Sequence, residues 1–184
     1  MLQIGVDEAN LIRRSVGGDK SAYQLLVEHH LPPLSNYVMR MMANAAEADD
    51  IIQETFIRLW THGHKYNHGS AKLTTWLHNI AHNLCIDYFR KNDRLVPESA
   101  DQPDQETSGP EEDYIQQGMA MDIQTAMMTI PERQRSAIIM CHYQGLSNKD
   151  TATVLGVSVD ALESLMARGR RKLRHNLSTN WQEQ

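Results

Sequence analysis

Two cysteines in 184 residues, Cys85 and Cys141, are too few and too far apart for a disulfide framework. Both stand inside apolar helical patterns, so the plain reading is two small buried thiols in a reducing cytoplasm. Long hydrophobic runs are missing as well. No stretch approaches the roughly eighteen apolar residues that a membrane-crossing helix needs, so no membrane insertion is expected. The opening MLQIGVDEANLIRR lacks the cationic start and apolar core of a secretion signal. A glycine-rich phosphate loop, a nucleophile elbow and a plausible triad are all absent, which argues against an enzyme and a cofactor. No segment sustains the period-two alternation of a strand, so the expected fold class is all-α.

Charge of one sign is missing from one region only. Residues 96–130 hold no Lys or Arg and eight acids, whereas residues 1–95 carry ten basic and ten acidic groups. Residues 131–184 carry eight basic groups and five acidic, so the net -5 of the chain is a local property of its middle. That middle opens VPESADQPDQETSGPEED, with three prolines and no helical stripe, as a flexible linker does. The expected organisation is therefore two small helical domains, 1–95 and 119–184, joined by an acidic linker over 96–118. At 41% hydrophobic and 22% charged residues, the flanks suit folded domains of modest core rather than disorder.

Helical spacing runs through the first unit. A short helix over Glu8–Val16 is closed by Gly17 and Gly18. Tyr23, Leu26, Val27, His30, Leu34, Tyr37, Val38 and Met41 then recur at three- and four-residue steps, with a bend expected at Pro32 and Pro33. Ile51, Ile52, Thr55, Phe56, Leu59 and Trp60 mark the next helix, and Leu73, Trp76, Leu77, Ile80, Ala81, Leu84 and Tyr88 a longer one. In the second unit helices are expected over Met119–Thr129 and Glu132–Tyr143, the latter stopping at Gly145. Met41 and Met42 are read as core, with an exposed partner-binding role as the alternative.

The sharpest local signal is LSNKDTATVLGVSVDALESL. Ala152, Gly156 and Leu162 are spaced four and then six apart, among apolar Leu155, Val157 and Leu165. Ser147 can cap the first helix with Asp150 three residues on, Gly156 suits a turn that needs positive φ, and Ser158 can cap the second helix. Ala152 is small where the second helix crosses. This is a helix-turn-helix pattern. RGRRKLR follows, with five cations in seven residues. A favourable interaction with the negative end of a helix dipole, worth about 0.3–1 kcal/mol, accounts for one or two cations. Phosphate binding accounts for the rest, and Arg168, Arg171 and Lys172 share one face.

Two stretches of the first unit, AEADDIIQETFIRLW (46–60) and LTTWLHNIAHNLCIDYFRKNDR (73–94), together with Ile130–Leu177, resemble the extracytoplasmic-function sigma factors of bacterial RNA polymerase in both units and in order. The resemblance implies a protein that directs core polymerase to promoters under the control of an anti-sigma factor. It implies that Asp49, Asp50, Gln53 and Glu54 dock on the clamp helices of the polymerase largest subunit. From spacing alone that stripe reads as an ordinary solvated helix face. It further implies that Lys72, Trp76, Asn79, Asn83, Asp87 and Arg90, with Lys91 and Arg94 after them, serve the melted minus-ten element of promoter DNA. Amides and aromatic faces suit unpaired bases, and cations suit the backbone. Trp76 reads as core rather than as a base-stacking ring, and Asn79 and Asn83 are the better polar contacts. The loop HKYNHGSAKL stands where the family has its base pocket, with more histidine and less arginine.

For the minus-thirty-five element the resemblance implies Ser158, Asp160, Ala161, Glu163 and Ser164 at the start of the recognition helix, then Arg168, Arg171 and Lys172. Asp160 and Glu163 stand where many members carry Lys and Arg, which weakens phosphate attraction there. Either acid can accept a hydrogen bond from a cytosine amino group. A two-domain helix-turn-helix regulator that works without core enzyme is the alternative. A metal- or redox-responsive module is a weaker one: His78 and His82 lie one turn apart, but no HExxH completes a zinc motif. They are read as surface or partly packed histidines, and no metal is expected.

Overall fold

A computed structural model describes residues 8–93 and 123–180, and every regular element among them is helical. The linker assigned to 96–118, the first residues of the helix expected from Met119, and Arg94 lie outside the described residues.

α1 (Glu8–Val16) buries Leu11, Ile12 and Ser15 and ends at Gly17 and Gly18, the latter at φ 92°. Asp19 then caps α2 (Lys20–Met41) by accepting from the backbone N–H groups of Ser21 and Ala22. Ala22, Leu26, His30, Leu34, Tyr37, Val38 and Met41 form its buried stripe. α2 does not end at Pro32 and Pro33. Two ladder donors are lost there, but the stripe on either side keeps one face on the core. His30, buried, meets the Glu8 carboxylate at 2.9 Å and ties α2 to α1.

Asn44 caps α3 (Ala45–His62), whose Ala48, Ile51, Ile52, Thr55, Phe56 and Leu59 pack inward. Tyr23 donates to the carbonyl of Phe56 at 3.0 Å and packs edge-on against Trp60, fixing α2 on α3. A 3-10 turn (Gly63–Lys65) and a loop lead to α4 (Leu73–Asp93).

In the second unit residues 123–128 are helical, and Pro131 introduces α5 (Glu132–Ile138), which widens into a π-turn (Ile139–Tyr143). Gly145, at φ 62°, stops it as the sequence suggests. α6 (Asn148–Leu155) and α7 (Val159–Asn180) complete the chain's described part.

The two units are not held apart. The buried side chains of both form one contiguous cluster that runs from Leu11 to Met166. Each unit is small enough to leave apolar surface uncovered when alone, and packing one on the other removes it from water. Tyr37, fully buried, is the centre of the junction. Its hydroxyl lies 3.1 Å from Nδ1 of His82 on α4 and 3.4 Å from Oγ of Ser136 on α5. Ser136 Oγ also lies 3.2 Å from the same nitrogen and 3.3 Å from the sulfur of Met41. Gln124 closes the end of α2, its amide lying 3.3 Å from the carbonyls of both Met39 and Arg40. The guanidinium of Arg40 stacks on Tyr143 at 4.0 Å, and that of Arg135 lies over Phe89 at 5.1 Å.

Candidate nucleic-acid and polymerase interfaces

The helix-turn-helix takes the form its residues dictate. Ser147 Oγ accepts from the Asp150 N–H at 3.1 Å and also bonds the Asp150 carboxylate at 2.6 Å. The capping box is thus closed between side chains rather than back to the Ser147 backbone. Gly156 adopts the left-handed conformation at φ 62°, and the N–H of Val157 reaches the carbonyl of Ala152 at 3.0 Å. That is a Schellman ending, in which a side chain at the glycine would be strained. Ser158 Oγ accepts from the N–H of Ala161 at 3.2 Å and starts α7. Ala152 and Leu162 are buried at the crossing, with Leu165 half-buried beside them.

α7 therefore turns Asp160, Ala161, Glu163, Ser164, Arg168, Arg171 and Lys172 to solvent. Ala161, Ser164 and Ala167 form a shallow strip of small side chains bordered by Arg168 and Arg171. Glu163 is reached by the amide of Asn148 at 3.5 Å. Among the described residues no carboxylate pairs with Arg168, Arg171, Lys172 or Arg174. Gly169 in the middle of RGRRKLR has a role that spacing does not reveal. A Cβ there would lie 2.8 Å from Cδ1 of Ile138 and 3.2 Å from Cβ of Gln134, so the glycine lets α7 press onto α5. With Gly169 and Leu173 turned inward, the cations project to the other sides, and Arg170 reaches His142 at 3.2 Å.

On α3 the four acidic and polar residues emerge as one outward face. Asp49, Asp50 and Gln53 are exposed, and Glu54 is half-exposed and paired with Arg58 at 2.8 Å. Ile57, 53% exposed, extends that face with an apolar contact that the sequence reading did not single out. Met41 and Met42 are buried, which settles them as core.

α4 gathers Lys72, Trp76, Asn79 and Asn83 along one edge. Trp76 is half-buried against Tyr66, ring centroids 5.7 Å apart, and Tyr66 is anchored through its hydroxyl to the Ala71 carbonyl at 2.8 Å. Asn83 donates to Asn79 Oδ1 at 3.2 Å, while Asn79 itself donates to the Val154 carbonyl of α6 at 3.4 Å. Lys72 lies 4.0 Å from Asp150. Asp87 and Arg90 pair with each other at 2.8 Å, and Lys91 is exposed. Six of the eight residues expected to serve the minus-ten element thus lie in contact pairs on or beside this helix.

His78 and His82 are neither surface nor partly packed: they are 1% and 5% exposed. Among the described residues no group of three metal-capable side chains converges on them. Burial pushes the pKa of His82 down to about 4, with the Arg133 charge adding to the effect, and burial lowers His78 too, against the Thr74 carbonyl that it bonds. A histidine with a lowered pKa binds its proton less readily folded than unfolded. Stability is therefore full above about pH 6.5 and is lost as pH falls toward 4, by up to about 3 kcal/mol for His82. Urea titrations from pH 7.5 to 4.5 should show that loss, and His82→Asn, which keeps an acceptor near the δ position without titrating, should flatten it. Burial likewise pushes the Cys85 thiol up to about 12, so Cys85 offers no thiolate for redox chemistry.

The geometry is that of a two-unit helical protein whose second unit is a helix-turn-helix with an exposed basic face. Residues 26–95 match the family described as Sigma-70 region 2, and residues 120–173 match Sigma-70, region 4. The ECF RNA polymerase sigma factor SigE of Mycolicibacterium smegmatis is 32% identical over 173 residues, a match covering 90% of this chain and 66% of that protein. SigM of Mycobacterium tuberculosis is 28% identical over 166 residues, covering 90% and 82%. Among solved structures, CnrH in complex with the cytosolic domain of CnrY superposes with a TM-score of 0.69 at 23% identity, covering 94% of this chain and 97% of that one. The sigma factor RpoE of Bartonella quintana, solved with the anti-sigma factor NepR, gives 0.67 at 22%, covering 85% and 96%. At those identities the structural likeness is one of fold. The chain belongs to the extracytoplasmic-function sigma factors.

Proposed function

We propose that this chain is a promoter-specificity subunit that binds bacterial RNA polymerase core enzyme and two promoter elements, and performs no chemistry itself. The observation that carries the reading is the pairing of two faces in one chain. An acidic outward stripe on α3 stands in the region 2 unit, and a basic face on α7, with which no carboxylate pairs among the described residues, stands in the region 4 unit. Asp49, Asp50, Gln53 and Glu54 offer carboxylates and an amide to a basic helical partner on the polymerase. The α4 edge, with Trp76, Asn79 and Asn83, offers amide donors and an aromatic face to unpaired bases, and Lys72 and Lys91 offer charge to the backbone. The strip of Ala161 and Ser164 enters the major groove, with Asp160 and Glu163 placed to accept from cytosine amino groups. Arg168, Arg171 and Lys172 hold phosphates. Because the solved relatives were captured with CnrY and with an anti-sigma factor, a partner of that kind is assigned to this chain as well.

Run-off transcription on a promoter library with core polymerase tests the reading. Transcripts should require both the chain and core enzyme, and should report the two sequence elements. Specific binding to duplex DNA by the chain alone, with no transcripts, would make it a regulator of another kind. Arg168→Ala with Arg171→Ala should reduce the slope of log affinity against log salt by about two units, roughly 0.9 per lost phosphate contact. An unaltered slope assigns both arginines to the helix end rather than to DNA.

A further inference from the structure

A helix lying in a major groove about 12 Å wide meets a sugar-phosphate backbone on each flank. α7 carries cations on both flanks. Gly169 and Leu173 turn inward, so Arg168 and Lys172 stand on one side of the outward face and Arg170 and Arg174 on the other, with Arg171 between them. To the second side the fold brings a histidine. The π-turn (Ile139–Tyr143) buries Ile139 and Met140 and leaves His142 exposed beside α7. Nη1 of Arg170 lies 3.2 Å from Nε2 of His142. A guanidinium has hydrogens to give and no lone pair to offer, so the imidazole accepts there as its neutral form, with its own hydrogen on Nδ1. Among the described residues no carboxylate pairs with either side chain. The charged groups on the elements around this turn are engaged elsewhere or turned to solvent. Asp150 on α6 bonds Ser147, Glu163 on α7 is reached by Asn148, Arg40 on α2 stacks on Tyr143, and Lys149 and Arg174 are exposed.

A guanidinium set against an imidazole with no counter-charge favours the neutral histidine, because a protonated one is repelled. An anion placed against both reverses the preference. A phosphate oxygen accepts from Arg170 and from Nε2 of a protonated His142, and charge-assisted bonds of that kind are the strong ones. We propose that His142 and Arg170 form a second backbone-phosphate site of the minus-thirty-five complex, on the strand opposite the one held by Arg168 and Lys172, and that DNA binding there places a proton on His142. The proposal rests on the assignment of α7 to promoter DNA. The proton comes from solvent and adds to Nε2, Nδ1 keeps its own, and Arg170 exchanges the imidazole for the phosphate as its acceptor. The sign of the pH effect follows. Phosphate favours the charged imidazole, so the complex holds the proton to higher pH than the free chain does. The added affinity is full at the acid end of the range in which histidines titrate, about pH 5 to 8, and is lost toward its alkaline end.

The test uses holoenzyme assembled from core polymerase and the full chain, titrated with a promoter fragment selected from the run-off library. Affinities are measured at pH 8.0 and at pH 6.5, where the fold keeps its stability, over a series of salt concentrations. His142→Gln keeps an acceptor for Arg170 but cannot be charged. Lowering the pH should strengthen native binding about threefold or more beyond its effect on His142→Gln, and should steepen the native slope of log affinity against log salt by up to about 0.9. Comparing the two chains removes the response of every other titrating group, His175 on α7 included. Arg170→Gln should make the slope shallower by about 0.9 at both pH values and shrink the pH response with it. Both side chains are exposed, so the variants should melt with the native chain. Equal pH responses of native and His142→Gln holoenzymes, or an unaltered slope in Arg170→Gln, overturn the second phosphate site and leave the sigma assignment standing. A native holoenzyme that binds no promoter at either pH brings down the sigma assignment instead.

Discussion

Leu162→Ala is expected to lower the stability of the packed chain by about 3 kcal/mol, within the 2–5 kcal/mol found when a well-packed leucine is truncated. Leu162 is fully buried where α6 and α7 cross. The truncation removes apolar contact and leaves a void that helices anchored at both ends cannot close. α6 is held by its Ser147 cap and its Gly156 ending, and α7 is held against α5 at Gly169. Urea unfolding followed by circular dichroism reads the effect. Leu165→Ala, at the half-buried neighbour, should cost about 1 kcal/mol and serves as the comparison. A Leu162→Ala loss below that of Leu165→Ala would mean that the crossing is not the centre of this unit's core. Duplex binding should fall in step with folding, because the recognition strip has no support once α6 and α7 part.

Asp49→Ala combined with Glu54→Ala is expected to weaken binding to core polymerase by about tenfold or more, as removal of charges at a complementary interface does. The fold should be untouched. Asp49 is exposed, and Glu54 pairs with Arg58 at 2.8 Å on the same surface, a pair worth little in water. Equal melting temperatures with unequal affinity in a binding titration against core enzyme would place the effect at the interface. Unchanged affinity would return α3 to an ordinary solvated face. Ile57→Ser should add a smaller loss on the same face, since an apolar group 53% exposed there gains from being covered.

Much of the local structure was legible because it is encoded at single positions. A serine before a helix, a glycine at its end and a leucine stripe between them each have one inexpensive solution. Ser147, Gly156, Ser158 and Leu162 were assigned their places from spacing, and they occupy them. The helix over Glu8–Val16 and the stop at Gly145 follow from the same chemistry. The acidic stripe of α3 was legible as a face because the apolar residues between its members demand the opposite side. Pro32 and Pro33 lie inside α2, which runs on past them to Met41 because the buried residues before and after keep one face in register.

The histidines show where such reading stops. His78 and His82 carry a polar side chain at helical spacing, which a surface histidine does as well. What buries them is a surface brought from elsewhere: Tyr37, on a helix 45 residues away from His82, and Ser136, 54 residues away. Asn79 is a parallel case. Its amide is suited to a base, to water or to a carbonyl, and only the arrival of α6 selects the Val154 carbonyl.

By itself the order of residues determined the helices, their ends, the inward stripe of each, the acidity of the middle and the concentration of cations on α7. Those depend on neighbours within about five positions, where propensity, capping and amphipathic spacing act. The folded molecule alone decided that the two units share one core, that a tyrosine, a histidine and a serine meet at their junction, and that α6 lies over the edge of α4. Contacts between residues tens of positions apart depend on the shapes and uncovered areas of whole helices. No short stretch of sequence holds that information.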